Sequence, residues 1–218
     1  MNRGACLKSC MDSVAGILDA IEALPQAELS ELDKEDTALV IVDMVNGFVK
    51  QGALASPRAD AIAAPLAECA GRFRHAKWIA LNDTHEADSP EFASYPPHCL
   101  KNDAESALIP ELSGYNINII PKQSTNGFHA PGFQEWLKQN PQINRFVVVG
   151  VCTDICVYQF ALTLKTYFTS KGLDREVIVP ANLVETFDLG AHGAELMNLV
   201  SLFSMMGNGI RVVKEIVS

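Results

Sequence analysis

The sequence predicts an α/β domain built on a parallel sheet and preceded by a helical arm. Short runs rich in Val and Ile alternate along the chain with segments whose apolar residues recur at helical spacing. The runs are apolar throughout rather than alternating with polar residues, as strands covered on both faces require. Alternation of such strands with helices is typical of a parallel sheet joined by right-handed crossovers.

The predicted elements follow in chain order. The arm is helical because Val14, Ile17, Leu18 and Ile21 recur at helical spacing, and the acidic stretch Glu28–Asp36 is predicted to be a linker. We therefore divide the chain into an arm, residues 1–36, and a domain, residues 37–218. The predicted strands are Ala38–Val42, Trp78–Leu81, Ile117–Ile120, Phe146–Val151, Val177–Val179 and Ile210–Val213. The predicted helices between them are Ile62–Phe73, Phe133–Leu137, Ile155–Tyr167 and Ala194–Met205.

Composition narrows the range of partners. The 218 residues include 26 acidic and 17 basic side chains, for a net charge of −9, which argues against nucleic acid or an anionic membrane and favours a small molecule. No apolar run has the length of a membrane-spanning helix, and the N-terminal segment lacks the features of a secretory signal. The six cysteines are scattered, which indicates no disulfide framework. We expect a cytoplasmic protein with reduced thiols.

Reactive side chains cluster where the predicted strands end. In open α/β sheets the ligand lies beyond the carboxyl ends of the strands, so the residues after each run matter most. Any one such residue is often only a helix cap or a solvated turn, but an acid, a base, an imidazole and thiols together indicate a site. These residues are Asp43, Asp83, His85, Lys122, Cys152 and Cys156.

Cys156 is the candidate nucleophile. It falls in the first turn of a predicted helix, where unpaired amides and the helix dipole stabilise a thiolate. Cys152, four residues earlier, is the rival candidate. The alternative for every cysteine is a small buried hydrophobic residue, which we expect for Cys69, Cys99 and Cys152 but not for Cys156.

A second group of residues suits a divalent metal ion. Asp83 and His85 lie two apart in an extended segment, and Glu91 and His98 follow in the same loop. Two imidazoles with two carboxylates fit Zn, Mn or Fe, with water completing the coordination. The spacing is irregular, so a hydrogen-bonded loop without an ion remains the alternative.

With these residues in place, the chain resembles the isochorismatase-like cysteine hydrolases, and among them the nicotinamidases. The matching segments are ALVIVDMVNGFV around Asp43, IIPKQSTNGF around Lys122 and GVCTDICV around Cys156. The resemblance runs from Thr37 to the C-terminus and leaves out the arm. It implies a three-layer α/β/α sandwich with a six-stranded parallel sheet, in agreement with the six predicted strands.

The resemblance also implies roles for these residues. Cys156 would attack a carboxamide carbon after Asp43 accepts its proton, with Lys122 holding the carboxylate and the thiol together. The backbone amides of Cys152 and Cys156 would form the oxyanion hole, next to a cis peptide between Val151 and Cys152.

The nicotinamidase pattern extends to the metal and the substrate. It implies that Asp83, His85, Glu91 and His98 bind a divalent ion and that Phe48 and Tyr95 enclose the substrate ring. Ordinary packing is the alternative for both aromatic residues. His129 and Cys152 depart from the nicotinamidase pattern, which bears on the substrate more than on the chemistry.

We therefore expect a metal-containing cysteine amidohydrolase that converts nicotinamide, or a related heteroaromatic carboxamide, into the acid and ammonia through a thioester. Family members often form oligomers, so a homo-oligomer is expected. One alternative is a hydrolase of the same family acting on another substrate, such as an N-carbamoyl compound. A second is a non-catalytic α/β binding protein.

Overall fold

A computed structural model of the chain describes residues 2–218. The helices are α1 (Arg3–Glu22), α2 (Leu29–Leu32), α3 (Asn46–Val49), α4 (Pro57–Ala61), α5 (Ala63–Ala70), α6 (Pro131–Gln139), α7 (Cys156–Ser170) and α8 (Ala194–Gly207). The strands are β1 (Ala27–Glu28), β2 (Thr37–Val42), β3 (Lys77–Asp83), β4 (Asn118–Lys122), β5 (Arg145–Val151), β6 (Glu176–Pro180), β7 (Val184–Glu185), β8 (Arg211–Val213) and β9 (Ile216–Val217). No helix within the described residues is long and apolar enough to cross a membrane.

The central sheet confirms the predicted α/β fold. Its strands run parallel in the order β4-β3-β2-β5-β6-β8, and each of these six corresponds to one predicted strand. The sheet of the described chain has seven strands rather than six, because the two-residue strand β7 pairs with the end of β5. Two residues are too short a run to stand out in an apolar pattern.

Helices cover both faces of the sheet, which explains why the strands are apolar throughout. Within β2, Ala38, Val40 and Val42 face one core, whereas Leu39 and Ile41 face the other. The first core receives side chains from α6, α7 and α8, and the second from α2, α4 and α5. The result is a three-layer sandwich.

The segment predicted to be a linker is packed against the domain. Ala27 pairs with Ile216 in a small parallel β1–β9 sheet, and Leu32 is fully buried. The Asp33 carboxylate accepts hydrogen bonds from the backbone amides of residues 74–76. The prediction of a free linker from residue 28 to 36 is therefore wrong, because its acidic residues find partners far away in the sequence. The division of the chain at residue 36 stays a prediction.

Candidate active site

The sheet brings the predicted site residues to one edge. Asp43 directly follows β2, Asp83 ends β3 and Lys122 ends β4, with Asp83 and Lys122 paired in the strand register. Asp43 is held against β3 by its backbone amide, which donates to the Leu81 carbonyl at 2.9 Å. Because parallel strands end at the same edge, residues about 40 positions apart in sequence become neighbours.

Lys122 is the centre of a buried charge cluster. Its side chain is completely buried, and its ammonium Nζ lies 2.8 Å from Asp43 Oδ2 and also contacts Asp83 Oδ1. The same Nζ lies 3.9 Å from the Cys156 Sγ and donates to the Ser124 carbonyl at 3.2 Å. The structure thus brings Asp43, Lys122 and Cys156 together. It adds the contact between Lys122 and Asp83, which the sequence did not indicate.

Asp43 sits in a strained and dry position. Its φ of 51° lies in the left-handed region that non-glycine residues rarely adopt, a form of strain that clusters at functional sites. Burial, followed by repulsion from Asp83, raises the pKa of Asp43 to about 7, although the Lys122 ammonium opposes the shift. A carboxyl with this pKa suits proton transfer near neutral pH.

Asp83 and Lys122 both keep their charges. Burial favours the neutral form of Asp83, but the Lys122 ammonium and the neighbouring imidazoles of His85 and His98 hold its pKa well below the usual range. For Lys122, burial likewise favours the neutral amine, yet the two carboxylates raise its pKa well above the ordinary value. The cluster therefore contains one permanent cation and one permanent anion, with Asp43 able to change its charge.

Cys156 lies in the first turn of α7, as predicted, and its surroundings favour the neutral thiol. Burial raises the pKa of Cys156 well above its usual value; the Lys122 ammonium lowers it, whereas Asp43 and Asp83 raise it further. The expectation of a thiolate is therefore wrong for the resting site, because burial and the neighbouring carboxylates favour the neutral thiol. A base must accept the thiol proton before sulfur can attack.

A tight corner connects β5 to α7. Gly150 has a φ of 114°, and a Cβ there would lie 2.0 Å from the Val42 carbonyl oxygen, so only glycine fits. The next peptide, between Val151 and Cys152, is cis, as the resemblance implied. Within residues 2–218, the backbone amides of Cys152 and Cys156 donate to no backbone carbonyl. Both amides are therefore free to bind an oxyanion.

Four side chains of the predicted metal group converge beside this cluster. One ligand atom from each of Asp83, His85, Glu91 and His98 lies within 4.8 Å of the others. The His85 Nε2 lies 3.6 Å from Asp83 Oδ1 and 3.8 Å from Glu91 Oε1. The His98 Nε2 lies 3.5 Å from Asp83 Oδ2. The loop is closed by the His85 amide, which donates to the Cys99 carbonyl at 2.9 Å.

These residues fit a divalent cation. The His85 Nε2 is buried and has no hydrogen-bond partner in the described chain, which would be costly without a ligand. The His98 Nδ1 lies 2.9 Å from the Pro96 carbonyl, so it carries the proton and leaves Nε2 free to coordinate. Two imidazoles and two carboxylates suit Zn, Mn or Fe.

A cavity of about 280 Å³ opens above the cluster. Asp43, Cys152 and Cys156 line it together with Asp83, Glu91 and His98 of the metal group. The predicted aromatic residues Phe48 and Tyr95 form part of its wall. The ring centroids of Phe48 and His98 are 5.4 Å apart. His129 is exposed and does not line the cavity, so the structure separates it from the site.

The segment Thr186–Leu189, which was not predicted from the sequence, also forms part of the cavity wall. The Thr186 hydroxyl donates to Asp154 Oδ1 at 2.6 Å, and His192 Nε2 lies 2.7 Å from Asp154 Oδ2. His192 stacks on Phe187 with ring centroids 4.1 Å apart. This segment could have been predicted to lie near the site, because it follows the fifth predicted strand at the same edge of the sheet.

Comparisons with known proteins agree with this fold and identify the family. The isochorismatase domain model matches residues 37–208. The chain is 35% identical over 211 residues to nicotinamidase 1 of Arabidopsis thaliana, covering 82% of this chain and 85% of that protein. The crystal structure of N-carbamoylsarcosine amidase from Thermoplasma acidophilum has a TM-score of 0.67 and 27% identity, covering 81% of this chain and 95% of that one. Pyrazinamidase of Pyrococcus horikoshii, solved in complex with zinc, has a TM-score of 0.67 and 25% identity, covering 82% and 98%. The chain therefore belongs to the isochorismatase family of hydrolases.

Proposed function

We propose that this protein is a cysteine amidohydrolase that converts nicotinamide, or a closely related heteroaromatic carboxamide, into the carboxylic acid and ammonia. The observation that carries the proposal is the buried Lys122 ammonium, which contacts Asp43 and lies 3.9 Å from the Cys156 sulfur at one cavity. Identity to the Arabidopsis nicotinamidase over most of both chains supports the choice of substrate.

Acylation begins with proton transfer from the Cys156 thiol to Asp43. The sulfur then attacks the carboxamide carbon, and the backbone amides of Cys152 and Cys156 donate hydrogen bonds to the oxyanion that forms. Asp43 returns the proton to the leaving nitrogen as the C–N bond breaks, so ammonia departs and a thioester remains on Cys156. Lys122 keeps the base and the sulfur adjacent and balances the charge of Asp83 throughout.

Deacylation uses the same groups. Asp43, now ionised, accepts a proton from a water molecule that attacks the thioester carbon. The C–S bond breaks, the proton returns to the Cys156 sulfur, and the acid leaves. The same two backbone amides hold the second oxyanion, because the carbonyl carbon has not moved.

The neighbouring group of Asp83, His85, Glu91 and His98 would hold a divalent metal ion. A bound ion would supply a Lewis-acidic positive charge suited to the ring nitrogen of a pyridine carboxamide, and this would orient the ring. Phe48 and Tyr95 supply the apolar walls on which such a ring would pack.

An ammonia-release assay with nicotinamide tests the proposal. We expect the wild type to release ammonia, the Cys156→Ala variant to release none, and the Cys69→Ala variant to match the wild type. Cys69 is the matched control because it is also a buried thiol but lies outside the cavity. Full activity of Cys156→Ala, or no ammonia from the metal-loaded wild type, would contradict the proposal.

A hydrolase of N-carbamoyl compounds is the second candidate. The structural likeness to the Thermoplasma N-carbamoylsarcosine amidase, at 27% identity, favours it. Adding N-carbamoyl compounds to the assay separates the two candidates. The first predicts that Cys156 releases ammonia from pyridine carboxamides, and the second that it releases ammonia from N-carbamoyl compounds. A chelator should lower turnover of pyridine carboxamides, whose ring nitrogen needs the ion.

A further inference from the structure

Helix α1 carries a row of large apolar side chains that the chain leaves in water. Leu7, Met11 and Leu18 are 55%, 72% and 41% exposed, and the half-buried Val14 lies between them in the row. We call Leu7, Met11, Val14 and Leu18 the α1 seam. Their spacing of four, three and four residues is that of the contact positions in a two-helix coiled coil.

The body of the protein does not cover this seam. None of the residues Arg3–Glu22 is buried, although α1 packs on α8. That neighbouring helix has an outward row of its own, because Leu196, Val200 and Phe203 are each 43–44% exposed. Exposed apolar rows on two adjacent helices are typical of a protein–protein interface.

The charges of α1 are arranged against its own dipole. Its basic residues, Arg3 and Lys8, lie in the first half, and two of its three acidic residues, Asp19 and Glu22, lie in the second, with Asp12 near the middle. The first turn has no acidic residue and the last turn has no basic one. Because the N-terminal end of a helix is positive and the C-terminal end is negative, this order destabilises an isolated helix.

A second α1 running in the opposite direction would correct both defects. It would cover the seam, and it would place the acidic half of one helix beside the basic half of the other. A parallel partner would instead set like charges side by side. We propose that the α1 helices of two copies of this chain pair in antiparallel orientation and form a two-fold symmetric dimer.

The seam specifies the register of this pair. Leu7 lies opposite the partner's Leu18, and Met11 opposite the partner's Val14, so that every seam residue meets another seam residue under one two-fold axis. Lys8 then lies near the partner's Asp19. Within one helix these two residues are 11 positions apart, about 16 Å along the axis, which is too far for a direct contact.

Sedimentation analysis of the full chain tests the seam. We expect a wild-type dimer at about 50 µM and at least about a tenfold weaker dimer for Met11→Glu or Leu7→Gln. Ser9→Glu is the matched control, since it adds the same charge to an exposed position on the opposite side of α1. It should leave the association constant unchanged. Circular dichroism should show one unaltered thermal transition for the domain in every variant.

A charge exchange tests the orientation. Lys8→Glu and Asp19→Lys should each weaken the dimer, and the double variant should restore it, because the opposite charges again face each other across the pair. Lys8→Glu also improves the match to the helix dipole, so weaker association cannot come from a weaker helix. A monomeric wild type, a dimer indifferent to Met11→Glu, or a double variant without restoration would each overturn the proposal.

Discussion

Removing the Lys122 ammonium should destabilise the fold far more than removing a surface lysine. The Lys122→Met variant keeps the aliphatic stem and deletes the charge that lies 2.8 Å from Asp43 Oδ2 and contacts Asp83. All three side chains are at most 2% exposed, so two carboxylates would stay buried without their cation. Breaking a buried pair in this way costs about 3–5 kcal/mol of unfolding free energy.

Lys101→Met is the matched control. Lys101 also pairs with a carboxylate, Glu86, at 2.8 Å, but both side chains are about half exposed, at 57% and 49%. Water already screens such a pair, so its loss should cost at most about 1 kcal/mol.

Urea unfolding followed by circular dichroism measures both variants, in buffer with chelator so that no bound cation replaces the missing charge. The urea midpoint should fall strongly for Lys122→Met and little for Lys101→Met. Adding divalent metal should recover part of the lost stability only for Lys122→Met, because Asp83 also belongs to the candidate metal group. Equal costs for the two variants would refute the view that Lys122 balances the buried carboxylates.

Three further predictions concern other parts of the molecule. Gly150→Ala should destabilise the fold by at least about 3 kcal/mol in urea unfolding, because its Cβ would lie 2.0 Å from a backbone oxygen, whereas Gly16→Ala in α1 should stabilise the helix by up to about 1 kcal/mol. Burial lowers the pKa of His192, but the hydrogen bond with Asp154 raises it above the ordinary value. The imidazolium therefore stabilises the fold below the unfolded pKa, and that contribution is lost as pH rises through the folded pKa. His192→Gln should cost more stability at pH 6 than at pH 9. His98→Ala should lower zinc affinity, measured by calorimetry, at least about tenfold, and unchanged affinity would remove His98 from the metal group.

The candidate site was accessible to sequence reasoning because each of its residues follows a strand that could be recognised locally. Asp43, Lys122 and Cys156 come at or just after continuous apolar runs, and parallel strands must deliver their carboxyl ends to one edge. The metal group was accessible for a different reason, since its four residues lie within one short loop of 16 residues, Asp83–His98.

Other features depend on contacts that no local pattern contains. The acidic stretch Glu28–Asp36 has the composition of a linker, yet Asp33 binds the backbone amides of residues 74–76 and Leu32 enters the core. The cavity wall formed by Thr186–Leu189 depends on Asp154, more than 30 residues earlier.

The sequence by itself determined the order of strands and helices, the two-sided burial of the sheet and the identity of the reactive groups, because periodicity and residue chemistry are local properties. Only the tertiary structure decided their electrostatics. Lys122 is shared between Asp43 and Asp83, and burial leaves the Cys156 thiol protonated while raising the pKa of Asp43 to about 7. The reason is physical: a pKa depends on how much water is excluded and which charges lie within a few ångströms, and both are set by packing between distant segments.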